Sequence, residues 1–391
     1  MSDLTPAIVI VAYNRPRSLS RLLGSLEKAY YPDLSIPLII SIDKADNNTD
    51  VLDIAKKFDW KHGAKEVRYQ KVNLGLRKHV LQCGDLTDQY NAIIMLEDDL
   101  YISPNFYDYT VQALNFVKDD NKIGGVSLYN HKLNVHNSKN FEPVHDGYDN
   151  WYFQFASSWG QAWSSEQWNN FKTWYITNPS LNHNERIPAY VRSWSEKSWL
   201  KYFIAYLIIS DKFFLYPKIA LTTNFSDAGT HVGKDSTVFQ LPLLYQKKKE
   251  YYFSTLEKSY AVYDAFYENT LLAQLLELPK EMLSIDLYGY KNTPNDSEQN
   301  YFLTSKKMPY VVIKNFGCSL KPMDANIFEA IEGDDFFLYD LTQRSTSPKK
   351  TGDNYRKLIY NYKQLSLNDC LLLTKTLVRE KILRVFHRIV R

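Results

Sequence analysis

Cysteine is scarce in this chain. Three occur in 391 residues. Cys83, Cys318 and Cys370 lie far apart with no CxxC or Cys/His spacing. That argues against a zinc site or a disulfide framework and favours a reducing compartment. Glycine and proline are also few, 14 and 15, which excludes a collagen-like or low-complexity chain. No uncharged apolar run approaches the ~18 residues of a membrane helix. The longest candidate, Tyr202 to Ser210, is closed by Lys201 and Asp211. Met1 to Pro6 offers no basic stretch ahead of an apolar one, so no secretory leader is expected. Neither sign of charge dominates: 47 Lys+Arg against 44 Asp+Glu leave +3, which argues against a dedicated nucleic-acid binder. No GxGxxG follows the first apolar run and no GxxxxGK[ST] exists. These absences exclude a nicotinamide-dependent dehydrogenase and a P-loop NTPase.

What is present is a folded chain with 45% hydrophobic and 23% charged residues, long enough for two or three domains. Its first hundred residues alternate strand and helix signals. Ala7 to Tyr13 is a buried-strand run broken by Asn14-Arg15-Pro16. A helix with Leu19, Leu22, Leu23 and Leu26 on one face follows, over Pro16 to about Ala29. Pro37 to Asp43, Glu66 to Lys71 and Ala92 to Leu96 read as further strands, and 50–58, 77–88, 104–119, 195–210 and 251–277 as helices. Repeated β-α-β units imply an α/β fold with a mostly parallel sheet. Ligands bind beyond the carboxyl ends of such strands, and Asn14, Asp43 and Glu97-Asp98-Asp99 all stand there.

The acidic triplet carries the chemistry. In extended backbone Glu97 and Asp99 project to one side. Adjacent carboxylates repel unless a cation or donor groups neutralise them. Hard oxygen ligands suit Mg²⁺ or Mn²⁺, ions that commonly bridge to substrate phosphates. The plainer alternative is an acidic loop capping the next helix.

Taken in order, Val9-Ile10-Val11-Ala12-Tyr13-Asn14-Arg15-Pro16, Ser41-Ile42-Asp43, Asn73-Leu74-Gly75-Leu76, Leu96-Glu97-Asp98-Asp99-Leu100 and Gly229-Thr230-His231 form a pattern over about residues 7–235. The chain resembles the GT-A glycosyltransferases, especially bacterial family-2-like enzymes and the related N-acetylglucosaminyltransferase I group. The resemblance implies a Rossmann-like GT-A domain with a nucleotide-sugar donor across the strand ends. It implies that Ala12, Tyr13 and Arg15 line the nucleoside pocket and that Asp43 bonds the base or ribose. Asn73 and Gly75 would then pack near the nucleotide, Asp98 approach the ribose or sugar, and Asp99, with Glu97, hold divalent Mn²⁺ or Mg²⁺ on the diphosphate. His231 would contact the diphosphate or metal. Inverting transfer needs a base for the acceptor hydroxyl. Glu196, three residues before Trp199, stands where related sequences carry an acid, usually Asp. Its alternative is a carboxylate favouring a helix N-terminus. Glu166 and Asp149 are lesser candidates.

Seven of the eight tryptophans fall within 148–199. Most belong in a core, while Trp159 or Trp163 is expected to face a saccharide acceptor, since aromatic faces stack on sugar rings. The expected organisation is a donor- and acceptor-binding domain over 1–240, an appended α/α+β module over 241–343, and a linker with a basic helical tail over 344–391. Residues 371–391 carry +5, with Val378, Ile382, Val385 and Ile389 on one helical face. A basic amphipathic helix reads as a membrane-surface anchor, with a helix docked on the body as the alternative. The expectation is a cytoplasmic transferase, peripheral on the inner face of the membrane. It would use a UDP-sugar and a saccharide or lipid-linked glycan acceptor in bacterial surface polysaccharide synthesis. Rivals are a sugar nucleotidylyltransferase, which normally has a Gly-rich loop after its first strand, and a non-catalytic sugar-binding protein on a degenerate fold.

Overall fold

The computed structural model describes residues 4–391 except 182–183, 226, 228–237, 295–298, 347–359, 362–365 and 390–391, and it leaves out the side chains of 380 and 383–389. The elements of the body are β1 (Ala7–Ala12), α1 (Pro16–Leu26), β2 (Leu38–Ile42), α2 (Thr49–Lys57), β3 (Lys65–Tyr69), α3 (Leu76–Gly84), α4 (Thr87–Tyr90), β4 (Ala92–Glu97), β5 (Leu100–Ile102), α5 (Phe106–Val117), β6 (Ile123–Ser127), the short hairpin β7 (Leu133–Asn134) and β8 (Lys139–Asn140), β9 (Asn150–Phe153), β10 (Gln161–Ser164), α6 (Ser165–Thr177), α7 (Ala189–Arg192), α8 (Trp199–Ile209), β11 (Phe213–Pro217), β12 (Thr222–Asn224) and β13 (Val262–Tyr263). A sheet of nine strands runs in the order β13-β9-β11-β6-β10-β4-β1-β2-β3. Strands β1 to β4 are mutually parallel, as are β6 and β11, while β10 runs against both neighbours and β9 runs against β11 but parallel to β13. This is the expected α/β architecture with a mostly parallel sheet.

Both faces of the sheet are covered, so its central strands are apolar on both sides. Ile8, Ile10 and Ala12 of β1 pack with α1 and α5 in one core, and Ala7, Val9 and Val11 in the other, with α3, α6 and α8. Helix α1 starts at Pro16, whose missing N–H is no loss in the first turn. Helix α6 starts on a capping box: Ser164 Oγ accepts the Gln167 N–H at 3.2 Å and Gln167 Oε1 accepts the Ser164 N–H at 3.1 Å. Helix α8 is apolar nearly all round and accordingly buried. Its one lysine, Lys201, keeps its ammonium bonded to the Trp194 carbonyl at 3.0 Å.

Two expectations need correcting. The helix placed over 77–88 breaks at Asp85 into α3 and the single turn α4, which Asn91 closes in the left-handed conformation at φ 60°. The helix placed over 251–277 does not form. Its backbone is engaged by the flank of β9: Asp149 N–H donates to Tyr252 at 2.8 Å and Ser254 N–H to Asn150 Oδ1 at 2.8 Å. Tyr251 and Phe253 pack edge-on against Tyr109 of α5. The segment then supplies β13, so the large sheet takes its edge strand from beyond residue 240, and only Leu272–Leu275 is helical, as α9.

The C-terminal module is a four-stranded sheet of β14 (Leu283–Asp286), β15 (Tyr301–Thr304), β16 (Tyr310–Phe316) and β17 (Phe336–Arg344), ordered β14-β15-β17-β16, with α10 (Met323–Phe328). The chain ends in a helix over Leu367–Ile389, where the tail was expected. No helix among the described residues is long and apolar enough to cross a membrane.

Candidate active site

Three loops at the carboxyl ends of β1, β2 and β4 are joined by buried polar contacts. Asp43, buried just past β2, donates its N–H to Ala12 O at 2.9 Å. Its carboxylate accepts the N–H groups of Lys44 at 2.9 Å, Leu74 at 2.8 Å and Gly75 at 2.9 Å. Asp43 therefore first fixes the 73–75 loop, and one acceptor position is left on Oδ2. Gly75 holds φ 76°, a conformation that side chains other than glycine's rarely adopt. Asn48, which the sequence reading missed, is fully buried and donates from Nδ2 to Tyr13 O at 2.7 Å and to Asp43 O at 2.8 Å. Its only sequence signal is a polar residue at the start of α2. Asn73 donates to Lys44 O at 2.7 Å. Ala12 is buried in the core and brings no side chain to a pocket, contrary to expectation. Tyr13 keeps its ring half-buried beside this loop cluster.

The acidic triplet meets this cluster from β4. Asp98 is buried and accepts the Tyr13 N–H on Oδ2 at 3.3 Å. Arg15, expected beside a nucleoside, instead lays its guanidinium across the carboxylates: Nη2 donates to Asp98 Oδ1 and Nη1 to Asp99 Oδ2, the latter at 2.8 Å. Two buried anions side by side require a counter-charge, and Arg15 is the cation in reach. Burial pushes Asp98 up to about 6, although Arg15 pulls it back. Burial, then the Asp99 charge, holds Glu97 well above the ordinary glutamate range. Burial disfavours the charge on Arg15, but Asp98 and Asp99 together outweigh it and raise its proton affinity.

Asp99 Oδ1 is buried and has no partner. No cluster of three or more His, Cys, Asp or Glu side chains arranged for a metal exists among the described residues. A single buried, unpartnered carboxylate oxygen still suits Mg²⁺ or Mn²⁺, which are held by one or two carboxylates and otherwise by substrate phosphates and water. Helix α1 points its N-terminus to the same edge. Its first turn contributes no acidic residue and no side-chain cap, which suits its N–H groups to an anion, although Asp227 already accepts a hydrogen bond from Ser18 at 2.7 Å and pairs with Arg21. Pro16, Arg17, Ser20 and Arg21, with Ile54 of α2, line a recess of about 420 Å³ between α1 and α2.

A second wall comes from β12, which pairs with β5 immediately after the triplet. Thr222 on β12 bonds the Trp159 carbonyl, and Gly160 turns there at φ 90°. A Cβ on Gly160 would come within 2.7 Å of Thr222. Trp159 is half-buried, packed at 4.6 Å on Tyr129 and 4.8 Å on Phe239. Trp163, the other acceptor candidate, is corrected: it is 0% exposed in the core between Trp168 and Phe203. It lies on β10, whose burial on both faces leaves its side chain no route to solvent.

Glu196 is exposed and bonded to Lys201 Nζ at 2.5 Å and to Tyr202 Oη. The Lys201 and Tyr202 bonds hold its proton affinity below the usual glutamate value. Arg77, two residues beyond Gly75, lies over the Tyr202 ring at 5.1 Å. Glu196 is thus two side chains away from the 73–75 loop. Of the lesser candidates, Asp149 is occupied by Lys248 and the Tyr252 N–H, and Glu166 sits in the first turn of α6. His231 lies outside the described residues.

No protein family matches the chain, and no curated protein does. Among solved structures, the chain is similar to S. aureus TarS 1-349, at 15% identity and TM-score 0.35 over 56% of this chain and 59% of that one. TarS 1-349 in complex with UDP-GlcNAc gives 14% and 0.36 over 59% and 62%. The mannosyltransferase PcManGT from Pyrobaculum calidifontis in complex with GDP-Man and Mn²⁺ gives 12% and 0.29 over 42% and 47%. The match thus spans about three fifths of TarS 1-349 and about half of the mannosyltransferase.

Proposed function

We propose that this chain is a metal-dependent, inverting glycosyltransferase of the GT-A type, akin to the bacterial family-2-like and N-acetylglucosaminyltransferase I enzymes. It would move a hexosyl or N-acetylhexosaminyl group from a UDP-sugar to a saccharide or lipid-linked saccharide in bacterial surface polysaccharide synthesis. The observation that carries the reading is the unpartnered Asp99 Oδ1, buried beside Asp98 at the end of a parallel strand. The uncapped N-terminus of α1 at the same edge is suited to a diphosphate.

In this reading Asp99, with Glu97, holds Mn²⁺ or Mg²⁺. Such an ion supplies Lewis-acid assistance to the departing nucleoside diphosphate. Tyr13 stacks on the base, while Asp43, Asn73 and Gly75 shape the wall of the nucleoside pocket. Asp98 takes the ribose or donor sugar, and His231 contacts the diphosphate or metal. Trp159 offers its exposed face to the acceptor ring. Glu196 takes the proton of the acceptor hydroxyl on a carboxylate position that its bonds to Lys201 and Tyr202 leave open. The tail rests on anionic lipid at the inner face of the cytoplasmic membrane, near lipid-linked acceptors. A nucleotidylyltransferase is disfavoured by the Tyr13-Asn14-Arg15-Pro16 turn in place of a Gly-rich loop.

The test is release of nucleoside diphosphate from UDP- and GDP-sugars with a panel of saccharide acceptors in Mn²⁺. Turnover is expected with one donor, and Glu196→Gln is expected to abolish it while donor binding stays near wild type. Full activity in that variant removes Glu196 from the role. A non-catalytic sugar-binding protein would bind without turnover.

A further inference from the structure

Arg15 makes two ion pairs with neighbouring but separate carboxylates, one nitrogen to Asp98 and another to Asp99 at 2.8 Å. The contact spans 83 and 84 residues of sequence. It leaves Asp99 half engaged, with Oδ2 on the guanidinium and Oδ1 buried without a partner. Resting on the reading above, we infer that Arg15 is an internal counter-cation that competes with the divalent ion for Asp99, so that metal and nucleoside diphosphate bind as a coupled pair.

The physical reason is charge. The charged groups facing one another are the buried Asp98 and Asp99 and the partly exposed Glu97 and Arg15, with Asp227 also acting on Arg15. In the free protein the guanidinium already offsets much of the negative charge that would attract a divalent ion. An ion at Asp99 Oδ1 places a second cation on the carboxylate that Arg15 holds, and like charges in a poorly solvated site repel. A diphosphate removes the conflict, because it brings negative charge for both cations. Arg15 immediately precedes Pro16, the first residue of α1. A side-chain swing there takes the guanidinium off Asp99 and toward an anion at the helix N-terminus. Coupling of this kind is reciprocal: nucleotide must tighten metal binding by the same factor as metal tightens nucleotide binding.

The experiment is titration of the full chain with Mn²⁺ at pH 8, reading free Mn²⁺ by its electron paramagnetic resonance signal, without nucleotide and with saturating UDP or GDP. For wild type, weak binding of Mn²⁺ alone is expected, tightened about tenfold or more by one of the nucleotides. Arg15→Gln should bind Mn²⁺ alone about tenfold more tightly than wild type and lose most of the nucleotide effect. Arg15→Lys should fall between, since one ammonium cannot bridge both carboxylates as the planar fork does. Melting in EDTA and in Mn²⁺ checks folding, and Arg15→Gln should recover more melting temperature on metal addition than wild type. If Arg15→Gln does not fold, Arg15→Lys carries the comparison. Equal affinity for Mn²⁺ alone in wild type and variant, with nucleotide tightening both alike, overturns the competition and leaves the proposed function standing. No Mn²⁺ binding under any condition overturns the competition and the metal-dependent reading together.

Discussion

Asp43, Asp98 and Asp99 were legible as strand-end candidates because each follows a short apolar run that reads as a buried strand. The polarity switch marks the strand end, and in a parallel sheet that end faces the ligand. Their partners were not legible. Arg15 reaches the triplet across more than eighty residues, and one sequence does not reveal which cation neutralises which anion. Asn48 gives no local signal beyond a helix start. The tryptophans show the same limit from the other side. Trp159 and Trp163 are four residues apart in similar surroundings, yet Trp163 is fully buried and Trp159 is half-buried. Trp163→Ala is expected to destabilise the protein by about 3–5 kcal/mol. Trp159→Ala should lose less in urea denaturation and instead raise the KM for acceptor. A larger stability loss in Trp159→Ala than in Trp163→Ala would contradict the assignment.

At the scale of elements, the first hundred residues were read nearly as they fold, because apolar strand runs and amphipathic helices alternate there without ambiguity. The 251–277 segment failed for a physical reason: its aromatic side chains and backbone are captured by α5 and β9, and such tertiary partners outweigh local propensity. The tail helix was anticipated from its periodicity. The hydrophobic residues Leu367, Leu371, Leu372, Leu373 and Leu377 on it are 50–76% exposed, so the apolar surface of its described residues lies uncovered by the body. If it lies on membranes as proposed, the chain should sediment with vesicles containing anionic lipid, and removal of 366–391 should abolish that. Unchanged sedimentation of the truncated protein would end the idea.

At the scale of the whole molecule, the body and the C-terminal module meet through buried polar groups. Asp324 of α10 is buried and accepts a hydrogen bond from Tyr263 of β13. Burial pushes its carboxyl up to about 6. An acid raised in the folded state favours the protonated fold. Its ionisation therefore opposes folding above pH 6, and that penalty is relieved as pH falls from about 6 toward 4. A rise from the ordinary aspartate value to about 6 corresponds to about 3 kcal/mol. Relative to Asp324→Asn, wild type should gain up to this amount in unfolding free energy between pH 7 and pH 4, measured by urea titration. A difference independent of pH would show that Asp324 is not strained by burial. Near this junction lies a cavity of about 1020 Å³, lined in part by Tyr260, Leu275, Pro322 and Phe328 and by none of the residues of the carboxylate site.

The most direct measurement is calorimetric titration of the protein with UDP, and separately GDP, in Mn²⁺ and then in EDTA, for wild type and Asp99→Ala. Binding of one nucleotide that requires Mn²⁺ and disappears in Asp99→Ala is the expected result. Nucleotide binding that persists unchanged in EDTA and in Asp99→Ala would contradict the role given to the buried Asp99 oxygen, and with it the metal-dependent transferase.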